Sequence, residues 1–169
     1  PPAVTVPDPI AGTDVTTTQF DDRNVLMTFF YSHCNTVCPF LISSMRKVQT
    51  NAIEAGYGDD VTFLPVTFDP KRDDEARLEE YAEMMNVDLD AGNWHFLRPD
   101  DHDHAKEVVQ ETYGVTFEKT SETESSMYMY NHLGLLLLAN ADGYVERAYT
   151  GNDPAGDRVW SDLETVLQA

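Results

Sequence analysis

Lysine and arginine are scarce in this chain. They total 11 among 169 residues, against 30 Asp and Glu, which gives a formal charge of −19 and a pI near 4.3. A field of that sign repels phosphate over long range, so nucleic acid and anionic membrane surfaces are excluded as natural partners. Long apolar runs are also missing. The longest, LGLLLLA at 133–139, falls far short of the roughly 18 residues that span a bilayer. No internal repeat is present. Cysteine occurs only twice, and two cysteines do not decide a compartment, because a redox-active pair is compatible with either side of a membrane.

What is present suffices for a packed domain. Hydrophobic residues make up 41% of the chain and include two Trp, a composition that argues against acidic disorder. The length is that of one ordinary domain with a real core. A carboxylate-dense, lysine-poor surface reads as that of a folded protein kept hydrated in concentrated salt, where a Debye length of about 3 Å or less screens much of the charge. The opening PPAVTVPDP has neither Met nor leader, as in a trimmed or mature domain whose signal or anchor lies upstream.

Residues 1–19 read as an extended, proline-rich lead-in with a short hairpin through AGTDVTTTQF, and 20–169 as a single domain. NVLMTFFYS (24–32) predicts a buried strand. From Cys38 to about Ala55, Phe40, Leu41, Met45, Val48 and Ala52 recur at helical spacing until GYG stops them. VTFLPVTFD is a second buried strand running into DPKRDD, whose acidic residues suit a helix start, and DEARLEEYAEMM follows with Leu78, Tyr81 and Met85 on one face. WHFL (94–97) predicts a short strand, AKEVVQETYG a helix stopped by Gly114, and FEKTSETESS a polar loop. LGLLLLANADGYVERAYTG is strand, Asp-Gly turn, strand, and the C-terminal DPAGDRVWSDLETVLQA is an amphipathic helix with Val159, Leu163 and Leu167 inward. Alternating strands and helices closed by a hairpin imply an α/β fold with a mixed central sheet flanked by helices, in the order of a thioredoxin-like fold.

That order puts both cysteines, in YSHCNTVCPF, at the join of the first buried strand and its helix. Positions i and i+4 on a first helical turn share a face, so the sulfurs of Cys34 and Cys38 can converge. A helix N-terminus also favours thiolates, lowering their pKa. Three uses fit: a redox disulfide, a metal clip, or two core thiols. Random placement seldom sets two cysteines four apart at such a turn, which disfavours the third. Thioredoxin-type oxidoreductases separate their cysteines by two residues rather than three. A peroxidase of this fold carries Thr or Ser three before its cysteine, where this chain has Tyr31.

A metal needs further ligands. Two thiolates and an imidazole suit trigonal Cu(I), and accept Cu(II) with an added water or carboxylate; Zn(II) in a closed site would want a fourth protein ligand. His132 is the candidate, since it lies between the polar loop and the final hairpin, where thioredoxin topology returns the chain across the cysteine turn. His33 is expected to point away from its neighbour Cys34. His95 alternates with apolar residues and reads as structural, while His102 and His104 belong to an exposed helix start. Met127 and Met129 in MYMY read as strand packing, with weak thioether ligation the lesser alternative.

These residues resemble the Sco/SenC family, thioredoxin-fold copper-binding proteins associated with assembly of the binuclear copper centre of respiratory oxidases. FFYSHCNTVCP is similar to the family's Phe-x-Phe-Thr-x-Cys-x-x-x-Cys-Pro, and VTFDPKRDD to its strand ending in Asp-Pro-x-Arg-Asp, here Asp69, Pro70, Arg72 and Asp73. NWHFL, YGV and YNHLGLLLLANADG follow in family order, and the resemblance runs from about residue 20 to 168. Two positions depart from the pattern. Asn35 and Thr36 replace Pro-Asp, and Asn131 stands where Asp commonly precedes the histidine; a carboxylate there would raise imidazole basicity more than an amide does.

The resemblance implies a monomeric copper metallochaperone. Cys34, Cys38 and His132 would hold one copper ion, Cu(I) or Cu(II), for a copper-receiving oxidase subunit, with other copper carriers as further partners. It implies work at the extracytoplasmic face of the cytoplasmic membrane, held there by an upstream anchor. Two alternatives stay open: a thiol-disulfide reductase using Cys34 and Cys38 as a redox pair to keep the oxidase's copper-ligand cysteines reduced, or a copper or redox sensor.

Overall fold

The structure is a computed structural model and describes residues 1–34, 38–119, 130–132, 134–150 and 156–169, the side chains of 131 and 132 aside. Its centre is a four-stranded mixed sheet in the order β4 (Val61–Thr67), β3 (Asn24–Phe30), β7 (Leu135–Ala139), β8 (Val145–Thr150). β3 runs parallel to β4 and antiparallel to β7, and β7 and β8 form the closing hairpin. Every residue of β3 and β4 is buried, which is why both read as continuous apolar runs rather than alternating ones. Helices α1 (Cys38–Glu54) and α4 (Gly156–Leu167) pack against each other, and α2 (Glu75–Met84) buries Leu78 and Tyr81. This is the element order the sequence predicts.

The apolar stripe of α1 differs in one member. Leu41, Ile42, Met45, Val48 and Ala52 are buried, whereas Phe40 is 54% exposed. At 100° per residue both Phe40 and Ile42 fall outside the face that Leu41, Met45, Val48 and Ala52 share, on opposite sides of it, so what packs against each side, and not periodicity, decides that Ile42 is buried and Phe40 exposed.

WHFL does lie along β4, but only through isolated bridges from Phe63 to Trp94 and from Val66 to Leu97. Phe63 N–H donates to the Asn93 carbonyl and Thr67 N–H to that of Leu97. The rung between them would need an N–H from residue 65, which is proline. The predicted strand is therefore an interrupted edge.

Three further expectations are revised. The N-terminal hairpin starts earlier than read, pairing β1 (Thr5–Asp8) with β2 (Thr13–Thr16), and residues Thr17–Phe20 form a 3-10 turn. The helix expected at 105–114 begins at His102 as α3 (His102–Ala105) and continues as a π-type helix over Lys106–Thr112. The polar loop contains strand β5 (Phe117–Lys119), paired with β6 (Tyr130–His132). Phe117 accounts for that strand: it is buried and stacks on Phe68 at 4.8 Å, and Tyr130 closes on Phe68 edge-on at 5.3 Å.

Asp8 locks the N-terminal hairpin to the domain. It is 3% exposed; one oxygen accepts from the Ile10 and Ala11 N–H groups at 3.0 Å, and the other lies 2.9 Å from His95 Nδ1. Val6 and Val15 enter the common core, and Arg98 N–H donates to the Pro7 carbonyl at 2.8 Å. Substituting Asp8→Ala removes the acceptor of three part-buried donors, so urea denaturation is expected to show a loss of about 1–2 kcal/mol.

Candidate thiol and metal centre

β3 ends at Phe30, and the chain turns through Tyr31, Ser32 and His33 to Cys34 before α1 starts at Cys38. Both thiols are buried, Cys34 at 5% exposure and Cys38 at 0%, and neither is in a disulfide. They hydrogen-bond to each other, and the Tyr31 backbone hydrogen-bonds Cys38. The structure thus brings together the two sulfurs that spacing predicted would converge.

Their electrostatics differ from the sequence expectation. Burial pushes the Cys38 thiol up, its bond with Cys34 adds to the rise, and the Tyr31 backbone only partly offsets it. Position at a helix start predicts a lowered pKa; here the cost of placing a thiolate in an apolar interior outweighs the helix end. A cation entering this pair must displace protons.

Beneath the turn sits a buried carboxylate. Asp73 is 0% exposed and accepts from Ser32 N–H at 3.1 Å, from the Ser32 hydroxyl, and from Thr67 Oγ1 at 2.5 Å. Arg77, on α2, donates to Ser32 Oγ at 2.8 Å and to the Ser32 carbonyl at 3.0 Å. Both backbone polar groups of Ser32 are therefore held by side chains of the 69–77 segment. Asp69 accepts from Arg72 Nε at 2.6 Å, and the Arg72 guanidinium lies 5.9 Å from the centre of the Tyr31 ring.

The histidines separate by environment. His33 is the exposed member of a group in which one ligand atom each of His33, Asp69 and Asp73 lie within 4.8 Å of one another. Those carboxylates already serve Arg72, Ser32 and Thr67, and burial, Arg72 and Arg77 lower the His33 pKa against the pull of Asp73 and Asp69. His33 is accordingly a neutral imidazole, and its 3.9 Å approach to Asp73 is not an ion pair. His95 is structural, engaged by Asp8. His104 Nδ1 accepts from the Asp100 N–H, and His102 meets Phe117 edge-on.

The His132 side chain lies outside the described residues, as do Met127 and Met129. The backbone of β6 is described, and it is tied to the turn: Tyr130 N–H donates to the Tyr31 hydroxyl at 3.1 Å, and the two rings meet edge-on at 5.2 Å. Burial pushes the Tyr31 phenol up to about 12, with the Tyr130 backbone opposing and the thiols adding, so the hydroxyl keeps its proton. Sequence reasoning passed over Tyr31, Ser32, Asp73 and Arg77 as site residues. The one signal was Asp73 closing VTFDPKRDD, indistinguishable by type from the many solvated carboxylates.

The sequence pattern of SCO1/SenC matches residues 10–168. The chain belongs to the SCO1/SenC family. An SCO1 protein homolog of Bacillus subtilis (strain 168) is 24% identical over 143 residues, spanning 83% of this chain and 69% of that protein. Among solved structures, Bradyrhizobium japonicum ScoI with copper bound superposes with a TM-score of 0.78 at 22% identity, covering 98% of each chain. BsSco, described as a member of the Sco family of cytochrome c oxidase assembly proteins in which a disulfide switch was identified, gives 0.76 at 22%, covering 98% of this chain and 91% of that one. The fold of this family member is the thioredoxin-like Sco fold, with its mixed sheet, flanking helices and N-terminal hairpin. The high-salt reading of its composition gains no support from these relatives.

Burial raises the Asp73 carboxyl above its usual value, against the opposing pull of Ser32 and Thr67. The folded state then keeps this proton to higher pH than the unfolded chain does. The site favours folding most below about pH 4, and that contribution is withdrawn as pH rises through the raised value. Urea denaturation at several pH values is expected to show the stability of Asp73→Asn improving relative to wild type as pH rises from about 4 to about 7.

Proposed function

We propose that this protein is a copper metallochaperone of the SCO1/SenC family, with Cys34 and Cys38 thiolates and the His132 imidazole as the ligands of one copper ion, delivered to the binuclear copper centre of a respiratory oxidase. The observation that supports this reading is the buried, mutually hydrogen-bonded thiol pair, connected through Tyr31 to the backbone of the strand that bears His132. Family membership and the copper bound in B. japonicum ScoI support it.

Two thiolates and one imidazole are a soft, low-coordinate donor set suited to Cu(I). The chain's part is to give up two thiol protons, present one sulfur from the turn after β3 and the other from the first residue of α1, and close with a histidine from a separate strand. An incoming cysteine or histidine of the receiving subunit would take the open position, and transfer would follow by stepwise ligand exchange. With this reading goes an extracytoplasmic location, held by a segment upstream of Pro1. Among the described residues no helix is long and apolar enough to cross a membrane.

A second reading has an observation of its own. Thiols already in hydrogen-bond contact need little movement to form a disulfide, and BsSco is described as having a disulfide switch. A reductase acting on oxidase cysteines needs Cys34 and Cys38 but not His132.

Anaerobic Cu(I) competition titration of the reduced protein, with free thiols counted before and after, separates the two. One copper per chain, weakened by more than about a hundredfold in both His132→Ala and Cys34→Ser, is expected for a three-ligand carrier, since even loss of a supporting partner costs roughly ten- to a hundredfold. No tight copper, or binding indifferent to His132 while the pair cycles readily, would establish the reductase instead.

A further inference from the structure

Tyr31 touches both thiols and the strand that leads to His132. It is 1% exposed, its carbonyl accepts from the Cys34 N–H at 3.1 Å, and its backbone also hydrogen-bonds the Cys38 thiol. Its hydroxyl hydrogen-bonds the Cys34 thiol on one side. On the other it accepts from Tyr130 N–H at 3.1 Å and stands 3.4 Å from the Tyr130 carbonyl. Tyr130 opens β6, two residues before His132.

A phenol has one proton and two acceptors compete for it here, the Cys34 sulfur and the Tyr130 carbonyl. We propose that the Tyr31 hydroxyl is a positioning group that couples the two halves of the site, making the hold on the His132 strand depend on the chemical state of the thiol pair. The inference rests on the function proposed above only in taking His132 as a ligand; the coupling itself runs between the thiols and β6.

The direction follows from acceptor strength. When a small disulfide such as oxidised glutathione oxidises the pair, the Cys34–Cys38 S–S bond forms and two glutathione thiols leave with the two hydrogens. A disulfide sulfur is the weaker acceptor, so the Tyr31 proton turns to the Tyr130 carbonyl and β6 is held more tightly.

Tyr31→Phe removes only the oxygen and keeps the ring that packs on Phe68 and Tyr130. Amide hydrogen exchange at Tyr130, followed by NMR in wild type and variant and in the dithiol and disulfide states, reads the coupling. Leu137 in the central sheet serves as the reference amide. In the dithiol state Tyr130 is expected to exchange roughly five- to tenfold faster in the variant, the equivalent of one hydrogen bond. Oxidation should slow Tyr130 in wild type and leave it unchanged in Tyr31→Phe. Equal Tyr130 exchange in the two proteins, or an equal response to oxidation in both, would overturn the proposal. A Cu(I) titration of Tyr31→Phe, His132→Ala and the double variant adds a second readout, and the coupling predicts non-additive losses. Should wild type bind no copper while the exchange coupling persists, the copper function falls and the coupling stands. Copper binding without the exchange coupling has the reverse meaning.

Discussion

Tyr31, Ser32 and Cys34 are buried just past the end of a parallel strand, where backbone polar groups are largely cut off from water and must find partners within the protein. The site is organised by the way this is met. Ser32 N–H goes to Asp73, the Ser32 carbonyl to Arg77, and the Cys34 N–H back to Tyr31. Each bond comes from a different direction, so the peptide leading to Cys34 is fixed before any ligand arrives. Cys38 is fixed separately, as the first residue of a 17-residue helix. The pair is thereby presented by two rigid elements, with only residues 35–37 between them.

The same requirement explains why a buried carboxylate is tolerated in so acidic a protein. Asp73 is surrounded by donors from Ser32 and Thr67, and Arg77 reaches Ser32 Oγ from the other side. A carboxylate without such partners would be costly at this depth. Arginine is rare in the chain, yet Arg72 and Arg77 both serve this corner, where each binds an acceptor of the thiol turn or of the carboxylates below it. The result is a centre in which Ser32 and Asp73 are held by one another and by Thr67 and Arg77.

The arrangement also separates the site from the rest of the surface. The cleft of about 540 Å³ lined by Asp22, Asn24, Asp60 and Asp142 lies at the far end of the sheet, where β3 and β4 begin rather than end.

Much of the architecture was legible in the chain because it depends on local periodicity. The buried strands, the closing hairpin and most of the stripe of α1 follow from which residues recur at period two or 3.6; Cys34 and Cys38 do meet, but with Cys34 in the turn before α1 rather than on its first turn. What the sequence could not convey is non-local. The interrupted edge beside Pro65, the strand inside the polar loop, the seat of Asp8 against His95, and the clamp of Asp73 and Arg77 on Ser32 all join residues far apart in the chain. A buried Asp and a solvated Asp are the same letter. The rise in the Cys38 pKa belongs to this second group, since helix position is read from sequence but desolvation depends on everything that packs above it. Sequence alone thus determined the family pattern and the pair of candidate thiols, which local spacing carries; tertiary structure decided what holds those thiols in place and how freely they ionise, because packing and desolvation are non-local.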